Sequence, residues 1–252
     1  MIASLQMYQR PELVDAHDKF WNIIRNKLAL HGIESPKDLS QDADEMTVWE
    51  DPKLVLSQTC GMPFRTHLHD KVTLIGTPDF GVKNCIPGYY SSAFIVNQSD
   101  VGENLIDYKD ALFAYNDIIS QSGYASAFFE TKKDNFFFEN RVCSGGHLDS
   151  ARMVAEGKAE IACIDPISLT FMSEYEKFYN ELRIIKWTKP TPSLPYISAI
   201  GIDQKIYFDV ISEAISELPK DVRERLHLKG LVYIPKEKYL TYSNPEIHTY
   251  YR

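Results

Sequence analysis

The sequence predicts an α/β protein built as two α/β lobes. Three observations carry that expectation. Short apolar runs of strand character alternate along the chain with amphipathic segments of helical period. Several of the apolar runs end in small polar turns, most of them with glycine, the place where α/β proteins hold ligands. The pattern also divides near residue 97 and again near residues 190–195. These divisions predict a discontinuous first lobe, residues 1–97 plus 191–252, and an inserted second lobe, residues 98–190. Two crossover segments joining such lobes make a hinge and a cleft.

The chain has 252 residues, of which 44% are hydrophobic and 25% charged, enough for one large domain or two lobes. The net charge is −8 and lysine and arginine do not cluster, which argues against nucleic acid as a partner. An acidic protein still binds a small anion where backbone dipoles and hydrogen-bond donors are gathered. No apolar run reaches the about 18 residues that span a bilayer. Residues 1–8 lack a basic region followed by a long apolar one. The expectation is a chain that is cytoplasmic as it stands, or periplasmic if a signal was removed. Cys60, Cys85, Cys143 and Cys163 form no Cys-x-x-Cys pair. Cys60 and Cys85 both lie in Gly/Pro-bearing loops, so a bridge between them and free thiols both stay open.

In chain order, residues 2–7 read as a first strand. Pro11 suits a helix start, and Leu13, Ala16, Phe20, Ile24 and Leu28 follow helical spacing up to Gly32. Residues 34–52 are polar, a loop with some helix. Leu54, Val55 and Leu56 form a buried strand that runs into Ser57-Gln58-Thr59-Cys60-Gly61. Residues 72–76 are the next strand, and residues 89–97 a longer one by their alternation. A short helix over 105–110 precedes a strand at 111–115. Phe136, Phe137 and Phe138 read as an aromatic core patch or a strand. A flexible turn at 144–147, a helix at 148–157, a strand at 161–164 and a helix at 167–182 follow. Strands at 183–187 and 196–201 flank a stiff proline-rich segment. Ile206, Val210, Ala214 and Leu218 then mark an amphipathic helix, and two short helical pieces precede a polar, aromatic tail.

The most informative stretch is Asn116-Asp117-Ile118-Ile119-Ser120-Gln121-Ser122-Gly123-Tyr124. It links a buried strand to a helix, with Ser122 as the expected N-cap and Gly123 permitting close backbone approach. A helix start presents unpaired N–H groups and the positive end of the macrodipole, and so binds an anion without a cationic side chain. Other chemistry is weaker. Asp149 and Asp165 lie on separate elements, and His67-x-His69 has no third metal ligand nearby. Cys60 with His67 lacks an orienting group, and no phosphate-binding glycine motif is present. Convergent polar turns without a reactive group describe a binding cleft better than an active site, with no catalytic residue, metal or cofactor.

Taken together and in order, these turns resemble the phosphate/phosphonate-type solute-binding proteins of ABC transporters, which have the type II periplasmic-binding-protein fold. The resemblance rests on Met7-Tyr8, residues 56–61, Pro87-Gly88-Tyr89-Tyr90-Ser91-Ser92, residues 116–124, Gly146-His147 with residues 150–157, and residues 159–165. It implies two lobes that close on a phosphate, phosphite or phosphonate, with an ABC permease as partner. It implies ligand contacts from Ser120, Gln121 and Ser122 at a helix start, from Tyr8 and Tyr89 of the first lobe, and from His147. Gln58 and Thr59 lie in the matching 56–61 turn. Aminophosphonate binders of this kind carry a glutamate just beyond the 161–164 strand. Here Pro166 and Ile167 stand there, leaving Asp165 as the candidate for an amine. The alternative is an enzyme or cytoplasmic sensor on the same fold, acting on a phosphorylated or heterocyclic small molecule.

Overall fold

Alternating apolar runs and helical stripes fold into two five-stranded sheets flanked by helices, with a further two-stranded pair, in a computed structural model that describes residues 1–246. The elements in order are β1 (Ile2–Ser4), α1 (Val14–Leu30), α2 (Glu45–Trp49), β2 (Leu54–Gln58), α3 (Gly61–Pro63), β3 (Val72–Asp79), β4 (Tyr89–Tyr90), β5 (Ala93–Asn97), β6 (Phe113–Tyr115), α4 (Ser126–Thr131) and β7 (Arg141–Cys143). Then come α5 (His147–Ala155), β8 (Ile161–Ile164), α6 (Pro166–Tyr175), β9 (Leu182–Trp187), β10 (Thr191–Pro192), β11 (Tyr196–Ala199), α7 (Gln204–Glu217), α8 (Lys220–Arg225), β12 (Gly230–Val232) and α9 (Lys236–Leu240). No helix among the described residues is long and apolar enough to cross a membrane.

The first unit comprises Met1–Tyr89 and Pro192–Tyr242. Its sheet runs β1-β2-β11-β3-β12, with β1 parallel to β2 and β11 antiparallel to both β2 and β3. Helix α1 turns Ala16, Phe20, Trp21, Ile24 and Leu28 onto one face of this sheet beside Tyr207, Val210, Ile211 and Ala214 of α7. The residue preceding α1, Leu13, provides no side-chain cap. A cap is worth about 1 kcal/mol and each fully buried Ile or Leu roughly 1.5–3 kcal/mol, so burial of the stripe holds this helix. Gly32 follows it at φ +71°, a left-handed turn that glycine adopts without strain. On the other face, Val48, Trp49, Phe64, Leu68, Leu74 and Tyr239 pack together.

The second unit comprises Tyr90–Thr191 with the described residues from Ser243 onward. Its sheet runs β7-β6-β8-β5-β9. Strand alternation divides its core: Ala93, Ile95, Ala162 and Ile164 face one side, while Phe94, Val96, Ile161 and Cys163 face the other. The second side carries the aromatic patch read from the sequence. Phe138 stacks on Phe113 at 4.6 Å, so residues 136–138 serve as core and not as a strand. Strands β6, β7 and β8 are mutually parallel. Their carboxyl ends therefore lie at one edge of the sheet, followed by the turns at 116–120, 144–146 and 165.

Several boundaries differ from expectation. The first strand stops at Ser4, because Gln6–Tyr8 tightens into a 3₁₀ turn. The expected single strand over 89–97 is interrupted at Ser91 and Ser92, and β5 joins the second sheet. The first crossing between units accordingly falls after Tyr89, not near residue 97, and the second falls after Thr191. The crossing strands β4 and β10 pair with one another. The expected helix over 167–182 breaks at Glu176, which is extended (φ −111°, ψ 119°). No disulfide joins Cys60 and Cys85, the bridge that the sequence left open. Their backbones are fixed locally instead: Cys60 precedes α3, and the Cys85 N–H donates to the Val82 carbonyl at 3.1 Å.

Candidate functional site

The turn after β6 closes on itself. The Ser120 N–H donates to the Asp117 carbonyl at 3.1 Å, and the Ile119 N–H to Asp117 Oδ1 at 2.9 Å. Ser120, extended at φ −76° and ψ 129°, is the N-cap, and its Oγ accepts the Gly123 N–H at 3.0 Å. The sequence pointed to Ser122 as the cap. The cap lies two residues earlier because the helix opens with a wide π turn, Gln121–Ala125, in which the Ala125 N–H donates to the Ser120 carbonyl at 3.0 Å. That turn leads directly into α4. Ser122 is thereby released from capping. Its Oγ lies 2.8 Å from His147 Nε2 and 3.3 Å from Ser120 Oγ. Ser120, Gln121 and Ser122 are all buried. The Gln121 side-chain amide donates to Ser126 Oγ at 3.1 Å.

The turn after β7 delivers His147. The Ser144 N–H donates to the Tyr115 carbonyl at 2.8 Å, and the Gly145 N–H to the Asn116 carbonyl at 3.1 Å, tying this turn to the end of β6. Ser144 Oγ lies 2.7 Å from Ser150 Oγ. Gly146 caps α5 without a side chain, and His147 is the first helical residue. Gly123 is the close-approach point of the two turns. A Cβ there would lie 1.8 Å from Asn116 Oδ1 and 3.1 Å from His147 Cε1. Part of His147 is exposed, but its Nδ1 is buried without a hydrogen-bond partner. Burial pushes its pKa down to about 3, so the imidazole is neutral at ordinary pH. Burial pushes the Cys163 thiol up, and its Sγ donates to the Ser122 carbonyl at 3.3 Å.

The remaining sequence-predicted residues divide by unit. Asp165, after β8, is the N-cap of α6, with Oδ1 accepting the Ser168 N–H at 2.8 Å. In the first unit Tyr8 packs edge-on against Phe80 at 5.4 Å. Gln58 Nε2 donates to the Leu194 carbonyl at 3.1 Å, and the Thr59 N–H donates to the Pro195 carbonyl at 3.1 Å, so both fasten β2 to the segment before β11. Tyr89 opens β4 and is half-buried. The structure brings Ser120, Gln121, Ser122 and His147 together in the second unit. It also brings in Gly123, expected from the sequence as a point of close approach, and Asn116, whose packing the sequence analysis did not assign. Ser57 Oγ and Ser193 Oγ in the first unit are likewise buried without a partner. The Ser-x-Ser-Gly pattern was the only sequence signal for Gly123, and nothing local marked Asn116.

Residues 49–239 match a family model described as ABC transporter, phosphonate, periplasmic substrate-binding protein. Among the curated proteins, none matches this sequence. Solved structures share the fold. PhnD1 from Prochlorococcus marinus, solved in complex with methylphosphonate, aligns over 95% of this chain and 94% of its own with a TM-score of 0.70 at 14% identity. A binding protein component of an ABC phosphonate transporter from Pseudomonas aeruginosa aligns over 96% and 83% with a TM-score of 0.67 at 13% identity. XAC2383 from Xanthomonas citri, solved bound to ATP, aligns over 96% and 94% with a TM-score of 0.71 at 12% identity.

Proposed function

From the premise that the chain belongs to the family of periplasmic substrate-binding proteins of phosphonate ABC transporters, we propose that it captures a small phosphorus oxyanion on the turn that opens at Ser120. One observation carries the reading. The helix start at Ser120 is capped by a neutral hydroxyl, and Ser122 and the neutral His147 stand beside it. A helix start favours an anion by about 0.3–1 kcal/mol, and up to ~2 kcal/mol when partly buried. Each hydrogen bond to a charged group adds roughly 1.5–3 kcal/mol. The hydroxyls and N–H groups therefore outweigh the dipole, and the acidic chain needs no lysine here. Tyr8, Gln58, Thr59 and Tyr89 are the proposed contacts of the first unit. The partner is an ABC permease and the compartment is the periplasm, as the family description supports.

The Ser122–His147 pair has the atoms of a nucleophile and its base. A general base works with a pKa near the operating pH and with an orienting partner on its second nitrogen. His147 has neither, since its pKa lies at about 3 and Nδ1 has no partner. Binding without turnover is the better account. Asp165 is engaged as a cap and is followed by Pro166 and Ile167, so the proposed ligand lacks an amine. Calorimetric titration with phosphate, phosphite, methylphosphonate and 2-aminoethylphosphonate tests this. Saturable heat with one of the first three, and weaker binding of the amine, is expected. Absence of heat and of thermal shift with all four would refute the reading.

A further inference from the structure

Two buried polar atoms beside this turn lack partners: Asn116 Oδ1, an acceptor, and His147 Nδ1. Buried polar groups are nearly always satisfied, so two exceptions on adjoining turns call for a second arrangement in which they are used. The geometry supplies one. Asn116 Oδ1 and His147 Cε1 both lie within 3.1 Å of the single point where a Cβ on Gly123 would stand. The absence of that Cβ keeps the space between amide and imidazole open. The backbone of Asn116 is also fixed to the turn that carries His147, through the Gly145 N–H at 3.1 Å. Turning the ring over exchanges Cε1 with Nε2, and so brings a ring nitrogen to the Asn116 side while withdrawing it from Ser122.

We propose that Asn116 is a positioning residue for His147: its Oδ1 receives the imidazole N–H when the Ser122 hydroxyl is given up to an anion. This rests on the binding reading above. In the ligand-free state the Ser122 hydroxyl is held by Nε2 at 2.8 Å. In that state the hydroxyl donates to Nε2 and the ring proton sits on the unpartnered Nδ1. When an anion takes the hydroxyl hydrogen, the ring shifts to its Nε2–H tautomer by proton exchange with solvent, turns over, and donates Nε2–H to Asn116 Oδ1. The ring is neutral before and after, and the site gains no net proton.

Ser122→Ala removes the competing hydroxyl and tests the arrangement without a ligand. In that variant, labelled at histidine nitrogen, a solvent-protected imidazole N–H of His147 is expected. It should vanish in Ser122→Ala/Asn116→Ala and persist in Ser122→Ala/Asn116→Asp, which keeps an acceptor oxygen in place. Failure to see the protected N–H in Ser122→Ala, or its survival in the Asn116→Ala double variant, would overturn the proposal. In the otherwise wild-type chain, Asn116→Ala should weaken methylphosphonate binding by about tenfold, the equivalent of ~1.4 kcal/mol. If wild type binds none of the four anions while the N–H behaves as expected, the binding reading fails and the Asn116 role stands.

Discussion

Two strand-end turns in the second unit solve the same problem with different groups. After β6, the helix start at Gln121 is capped by the Ser120 hydroxyl. After β8, the start of α6 is capped by the Asp165 carboxylate, with Pro166 at its first position. Both strands are parallel neighbours, and both turns lie at the same sheet edge. The carboxylate brings its own negative charge to the helix end, so that start is closed to an anion. The hydroxyl leaves the charge of the helix end uncompensated and adds a second serine and a neutral histidine beside it. The residue chosen as cap thus decides which of two similar helix starts is available to a ligand.

The largest effect should come from making the first turn resemble the second. Ser122→Asp is expected to lower methylphosphonate affinity more than about a hundredfold, since a second negative charge cannot share the turn. Calorimetry gives the answer directly, and an unchanged affinity would remove Ser122 from the site. Ser122→Ala should weaken binding about tenfold, as one hydrogen bond to a charged group is lost. Gly123→Ala places a methyl 1.8 Å from Asn116 Oδ1. It should cost roughly 1–3 kcal/mol of stability by overpacking, read from a denaturant midpoint. Asp165→Ala should cost about 1 kcal/mol as a lost cap. It should leave the thermal shift produced by methylphosphonate nearly intact, and loss of that shift would mean that Asp165 touches the ligand.

The smallest expected effect is a pH dependence. Burial lowers the pKa of His147 from 6.5 to about 3 and that of His17 to about 4. The folded state favours both neutral forms. Their stabilising contribution is complete above pH ~6.5 and declines as the pH falls toward the folded values, because the unfolded chain takes up protons first. Thermal melts at pH 7.5 and 5.0 should show this loss, and His147→Gln should reduce it.

How much of this was legible in sequence depended on the range of the interaction. The α1 stripe was legible because burial of Phe20, Ile24 and Leu28 repeats with the helical period. The strand ends in polar turns were legible because glycine and hydroxyl residues interrupt apolar runs. The position of the cap was misjudged by two residues, since Ser120 and Ser122 have equal capping chemistry and only the π turn separates their roles. The break at Ser91 and Ser92 was hidden because alternation continues across it. β7 and β12 were missed because none of their three residues is buried, so they carry no apolar run such as that of β6. The contact of Asn116, Gly123 and His147 could not be read at all. It joins residues from two separate strand ends, and no local spacing encodes it. Whether Cys60 and Cys85 are bridged stayed open for the same reason, since loop composition does not fix where two thiols point; no disulfide joins them.

The central claim is that the neutral helix start holds the ligand. Backbone amide spectra of the labelled protein, followed during titration with methylphosphonate, test it most directly. The amides of Gln121 and Ser122 should shift downfield together and saturate with the calorimetric curve, while Ser168, at the Asp165-capped start, stays unmoved. Saturable binding that leaves those two amides in place would contradict the account.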